Sequence, residues 1–192
     1  MNFKQRFPII DAHGYLERAY YWLESESDIA VFYAALELRF TFEKILIKHG
    51  WASNNNTNNF EKKHSKAEIL GETLTSEFSQ KIALDKAYKF FFPPGKDYEE
   101  IVFGYYLPIN QDLYTSYGKL DNLLHAQWAI PIGLPNRKWQ KERKKDLLIF
   151  ADKLIPHANP KNSLDLISLP NIKYEEMDNQ VIEQQLSGYW DK

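Results

Sequence analysis

SDIAVFYAALELRFTFEKILIKH, residues 27–49, contains no Gly or Pro and repeats its apolar positions at helical spacing over about six turns. At about 100° per residue, Glu37, Thr41, Lys44 and Lys48 fall on one narrow stripe, the expected solvent face. The remaining arc is apolar, and Ile29, Val31, Leu38, Phe40 and Phe42 are expected in a core. Arg39 and Glu43 project into that arc one turn apart. An unpaired charge buried there would cost several kcal/mol, so the pair must be satisfied internally. It is either a structural ion pair or the support of a site lying in front of it, and replacing Arg39 alone is expected to cost several kcal/mol.

Outward from this helix, Asp11 to Leu23 carries Leu16, Ala19, Tyr20 and Leu23 at helical spacing, with Asp11 as the expected N-cap. The SES at 25–27 is a tight connection, so the two helices are expected to lie antiparallel, and Gly50 is the expected stop of the second. WASNNNTNNF, 51–60, has loop composition. One or two helices are expected between Ser65 and Lys89. Aromatic and β-branched clusters on either side of Pro93, Pro94 and Gly95 then predict a small hairpin over 88–107. Helical spacing returns over Asn110 to Trp128 and again over Asn136 to Ile155. Beyond Pro156 the text is loop-like, with a short terminal helix expected over 177–186.

These elements predict a mainly α chain: one domain of 192 residues, an antiparallel bundle of four to six helices with an inserted β-hairpin. Residues 156–192 are expected as a C-terminal extension packed on the bundle. A formal charge of −2 gives no global attraction to nucleic acid or anionic lipid, so any such binding requires a local patch. The absence of Cys removes disulfides, thiol nucleophiles and Cys-type zinc sites. No stretch approaches the roughly 20 apolar residues of a membrane span, and a cytoplasmic protein is expected. The five His have no metal-ligand spacing, and there is no Gly-rich phosphate loop, H-E-x-x-H or G-x-S-x-G. Neither metal nor cofactor is expected.

Two further constellations carry chemistry. In YGKLDNLLHAQW, 117–128, Asp121 stands one turn before His125, where a carboxylate orients an imidazole and raises its pKa toward general acid–base use. Lys119 lies on another face of the same helix. The alternative is an interface histidine with its hydrogen bonds satisfied. In NRKWQKERKKDLL, 136–148, six of nine positions from Arg137 to Lys145 are basic. Arg137, Lys138, Lys141 and Lys145 with Trp139 among them are the candidate nucleic-acid-binding set, because cations hold phosphates while an aromatic stacks a base. The alternative is a solvated helix face anchored by Trp139. Arg143 falls on the core-facing stripe with Leu147, Phe150 and Leu154, where it is expected to approach the same core as Glu43.

The texts ALELRFTFEKIL and YGKLDNLLHA together resemble the helical HEPN-type proteins, over about residues 11–155. Those are small antiparallel bundles, many of them metal-independent ribonucleases of toxin and antiphage systems. They often work as dimers whose paired sites use an Arg and a His four to six residues apart. Here Lys119 stands in the place of that Arg, with five residues between it and His125, whereas Arg6 precedes His13 at matching spacing in the N-terminal lead. The resemblance implies RNA as partner and a homodimer, with His125 as acid or base, Asp121 beside it and Lys119 on a phosphate. Arg39, Glu43 and Arg143 would support that site from behind. The rival expectation is a non-catalytic interaction module whose surface gathers Tyr105, Tyr106 and Trp128.

Overall fold

The apolar segment folds as a helix from Ala30 to Ser53, and part of its expected solvent face is buried. The computed structural model describes residues 11–27, 29–53, 85–92, 101–125, 137–162 and 172–188, without the side chains of 49–53, 92, 101, 103, 121, 122, 125 and 137. In chain order the elements are α1 (Ala12–Glu24), α2 (Ala30–Ser53), β1 (Ala87–Phe92), β2 (Ile101–Tyr106), α3 (Gln111–His125), α4 (Arg137–Ala158), β3 (Lys173–Met177) and α5 (Asn179–Ser187). The protein is mainly helical with a small antiparallel sheet. The helices expected between Ser65 and Lys89 fall mostly outside the described residues. The chain divides into two compact units, Met1–Lys44 with Gln111–Ala158 and Ile45–Asn110 with Asn159–Lys192.

In the helical unit, Asp11 caps α1 as its sequence predicts, its Oδ1 accepting from the Gly14 N–H at 2.8 Å. α1 then packs against the Glu37 end of the stripe that was expected to face solvent, while Lys44 and Lys48 further along stay partly exposed. Thr41 is 0% exposed, its hydroxyl donating to the Glu37 carbonyl at 2.8 Å. Glu37 accepts from Arg18 Nε at 3.0 Å in a largely buried ion pair, with side chains 10% and 16% exposed. This pair lies between two aromatic contacts that also join the helices, Tyr15 with Phe40 at 5.3 Å and Trp22 stacked on Tyr33 at 4.7 Å. The Arg18 guanidinium sits 4.4 Å from the centre of the Tyr15 ring. Ile29, Tyr33 and Phe40 are exposed instead.

Arg39 and Glu43 are correspondingly shallower than their register implies. Their Nε–Oε1 distance is 2.8 Å, but the side chains are 28% and 30% exposed. Because the pair is only partly buried, replacing Arg39 is expected to cost less than stranding a fully buried ion would. α2 also runs through Gly50 to Ser53. One glycine costs a helix only about 1 kcal/mol relative to alanine, which is too little to end it.

α4 continues past Pro156 to Ala158. The missing N–H forfeits a single hydrogen bond two residues before the end. His157, in that last turn, is buried and its Nδ1 has no hydrogen-bond partner among the described residues. Burial holds its imidazole at about 4, below the usual 6.5. The unfolded chain therefore takes up a proton near pH 6.5 that the folded chain refuses until about pH 4. Stability is full above the upper value and falls as pH drops through that window, by about 3 kcal/mol in total. Urea midpoints measured across the window should show this slope, and His157→Leu should flatten it. An unchanged slope in the variant would place the titration elsewhere.

In the sheet unit the predicted hairpin is present, and β1 is its central strand in the order β2-β1-β3. Tyr88 faces Tyr106 and Phe90 faces Gly104, with a bulge between Phe90 and Phe91. β3 was not expected. Its text, KYEEM, is a charged, exposed edge strand with little apolar alternation, which protects the sheet edge and conceals the strand from pattern reading. The C-terminal segment thus completes the sheet, and α5 closes over it, packing Ile182 and Leu186 on Ala87 and Leu107. Three asparagines tie this unit together. Asn162 Oδ1 accepts from the Leu107 N–H at 3.0 Å, Asn179 Oδ1 from the Ala87 N–H at 2.8 Å, and Asn159 Nδ2 donates to the Leu186 carbonyl at 2.8 Å. Tyr106 is buried and Tyr105 packs against the α5 contact, so neither supplies the open aromatic surface expected of them. Trp128 lies outside the described residues.

Candidate functional site

α3 and α4 meet along buried leucines and part above them into a groove of about 540 Å³. Leu113 and Leu120 repeat on the buried face of α3, while Leu147, Phe150 and Leu154 do so on α4. The groove's floor is Leu120, Leu147 and Phe150, and its walls include Leu123 and the half-exposed Ile149. Three cations line it: Lys119 from α3, and Arg143 and Lys153 from α4. These are one expected phosphate contact, one expected supporting residue, and one that was not anticipated.

The charges inside the groove are only partly neutralised. Arg143 Nη1 donates to Asp146 Oδ2 at 3.0 Å, one turn along its own helix. Its Nε is buried without a hydrogen-bond partner among the described residues. Lys153 lies 3.9 Å from Asp112 Oδ2, a contact whose carboxylate is mostly in solvent. Ser116 also lines the groove, but its hydroxyl proton is donated to the Asp112 carbonyl at 2.8 Å, leaving it as an acceptor. Arg143 thus lies beside Leu147 and Phe150, part of the core that also receives Phe42 of α2. Glu43 is held by Arg39 and by the Tyr117 hydroxyl, which donates to it at 3.1 Å and ties α2 to α3.

A second feature lies elsewhere on α4. Lys138, Lys141 and Lys145 are exposed, at spacings of three and four residues that line them up along one flank. The helical repeat turns this flank about a third of a revolution from the groove. Trp139 is half-buried with its ring 6.0 Å from that of Phe32, so it anchors α4 to α2. Further along, α4 is held to α1, where Tyr20 donates to Asp152 at 2.7 Å and Lys144 donates to the Ser25 carbonyl. Burial, and then the bond to Asp152, pushes the Tyr20 hydroxyl well above its ordinary value, so it stays a donor.

The side chains of Asp121, His125 and Arg137 are outside the described residues, although the first two positions lie within α3 and the third opens α4. Lys153 and Ser116 escaped sequence reading because a groove between two helices depends on which faces meet. The available signal was the α4 register that puts Asp146, Phe150 and Lys153 on one strip. Among the described residues no group of three or more His, Asp or Glu is placed to hold a metal ion. No described helix is long and apolar enough to cross a membrane. No protein-family profile, curated protein or solved structure matches this chain.

Proposed function

We propose that this chain is an RNA-engaging helical protein of the HEPN-like kind, acting without metal in bacterial defence or as a toxin component. The observation that carries the reading is the exposed Lys138, Lys141 and Lys145 stripe on α4. It spans about 10 Å of helix, long enough to meet successive phosphates of a single strand. A chain of net charge −2 needs such a local concentration of cations to attract a polyanion. His125, with Asp121 one turn before it, is the candidate acid–base on the strength of the resemblance.

Binding to a single-stranded RNA should weaken with salt, with a slope of log affinity against log salt of about −2 for three neutralised phosphates. Replacing all three lysines by Gln should bring the slope close to zero, as read by fluorescence anisotropy. Salt-independent binding, or none at low salt, would overturn the reading. Incubation with RNA in EDTA, comparing wild type with His125→Ala, separates cleavage from binding. Cleavage lost in the variant makes the protein a metal-independent nuclease, and cleavage in neither leaves a binding protein.

The exposed Tyr21, Ile29, Tyr33 and Phe40 favour a second reading, a non-catalytic module that binds another protein through α1 and α2. This reading takes precedence if the protein does not bind RNA.

A further inference from the structure

We infer that the groove between α3 and α4 is a nucleoside-phosphate site, with the phosphate held by Lys119, Arg143 and Lys153 and the base laid on the apolar wall formed by Leu123 and Ile149. This goes beyond the RNA reading and does not depend on it. The groove and the lysine stripe use different flanks of α4, and a free nucleotide meets the groove's requirements as well as the end of an RNA chain does.

Three cations from two helices line a groove whose carboxylate, Asp146, is already engaged by Arg143. Asp112 reaches Lys153 only at 3.9 Å from an exposed position, so it does not compete strongly for the cation. The excess of positive charge suits a phosphomonoester, which carries more than one negative charge at neutral pH and offers several acceptor oxygens. A carboxylate would match only part of it. Arg143 adds a directional element, since its fork retains donors after Asp146 is bound and its Nε is buried and unpaired among the described residues. An unsatisfied buried donor is costly, and a ligand oxygen accepting from this guanidinium would recover part of that cost.

Size and polarity supply the rest. About 540 Å³ is in the range of small-ligand sites, and the floor is made of Leu and Phe side chains instead of further charges. Ile149 is half-exposed at the groove wall, an apolar surface of the kind on which a base lies flat. Ser116 keeps only acceptor capacity, which suits a base amino group or a ribose hydroxyl and not a phosphate oxygen. An anion with no apolar portion leaves this wall unused, whereas an alkyl anion leaves the Ser116 acceptor unused.

The test is calorimetric titration of the full chain with adenosine and uridine 5′-monophosphates, alongside adenosine, inorganic phosphate and oleate. Nucleoside monophosphates should bind more tightly than adenosine or phosphate. Lys119→Glu and Lys153→Glu, both at exposed positions, should each lower that affinity about tenfold or more, the effect of losing one charge-assisted hydrogen bond. Circular dichroism of each variant confirms that the helices are intact, and Ile149→Glu tests the apolar wall without touching a cation. A second arm compares oligoribonucleotides ending in phosphate with the same oligomers ending in hydroxyl. Preference for the phosphate end places the ligand at an RNA terminus, and binding of free nucleotide without RNA binding leaves the groove standing while the RNA reading falls. If RNA binds but neither free nucleotides nor terminal phosphates do, the groove proposal is overturned and the RNA reading survives. Tighter binding of oleate than of nucleotide, or nucleotide affinity unchanged in the groove variants, also overturns it.

Discussion

Replacing Arg18 by Met is expected to destabilise the protein by about 3 kcal/mol or more, because it leaves the Glu37 carboxylate buried without its partner. The methionine keeps most of the aliphatic packing against Tyr15, so the loss isolates the charge. Burial already raises the Glu37 carboxyl above the usual carboxylate value, and Arg18 opposes that rise by Coulombic attraction and a hydrogen bond. Without Arg18 the carboxyl rises further. A raised folded value means that the protonated form is the better tolerated one, so the penalty is greatest at neutral pH and shrinks as acid supplies the proton. Urea denaturation of wild type and variant, compared at pH 7 and again near pH 5, should show the gap narrowing. The double variant Arg18→Met with Glu37→Leu should regain most of the loss, since an apolar pair of similar volume commonly matches a buried ion pair. A deficit that is independent of pH and unrelieved in the double variant would mean that packing, not the stranded charge, sets the cost.

Phe42→Ala is expected to cost about 3–5 kcal/mol, the range for deleting a buried aromatic ring. Phe42 is 0% exposed and its ring meets Tyr117 at 4.9 Å, Tyr114 edge-on at 5.6 Å and Phe150 at 6.2 Å. It therefore joins α2 to both helices that build the groove. The cavity would remove dispersion contacts on three sides, and ring pairs of this geometry contribute beyond their buried area. Phe42→Leu, which keeps much of the volume, should lose clearly less. Denaturant midpoints give the stabilities, and the near-ultraviolet dichroism of the tyrosines reports whether the cluster loosens. Phe150 is also part of the groove floor, so nucleotide retention should weaken in Phe42→Ala before the helices are lost. Full retention at unchanged stability would remove Phe42 from the support of that floor.

Both residues show where sequence reading stops. Phe42 was legible as core because it lies on the apolar arc of α2, and a period of 3.6 residues is a property of one chain segment alone. Arg18 and Glu37 were not legible as a buried pair. They are 19 positions apart, and Glu37 sits on the only polar stripe α2 possesses. Glu37 becomes largely interior because α1 brings a guanidinium to it. Arg39 and Glu43 are the reverse case: their apolar surroundings on the wheel suggested full burial, and their side chains are 28% and 30% exposed. A helical projection ranks the faces of one helix, and burial is decided by what packs against each face.

The same division runs through the candidate site and the sheet. The helical spacing of α3 and α4, the cap at Asp11 and the pairing of β1 with β2 follow from local chemistry: side-chain hydrogen bonding to the backbone, strand-forming side chains and apolar periodicity. These interactions span a few residues, so the amino-acid order suffices to find them. Lys119 and Arg143 were also selected in the sequence, each for a separate reason. That they share one groove, with Lys153 beside them, follows from the crossing of two helices. That KYEEM forms a strand follows from an edge of β1 being free to pair with it. Sequence alone thus determined the helical class, the hairpin and the cations worth watching. The tertiary structure decided which charges are buried and which converge, because desolvation and Coulombic attraction depend on neighbours that are distant in the chain.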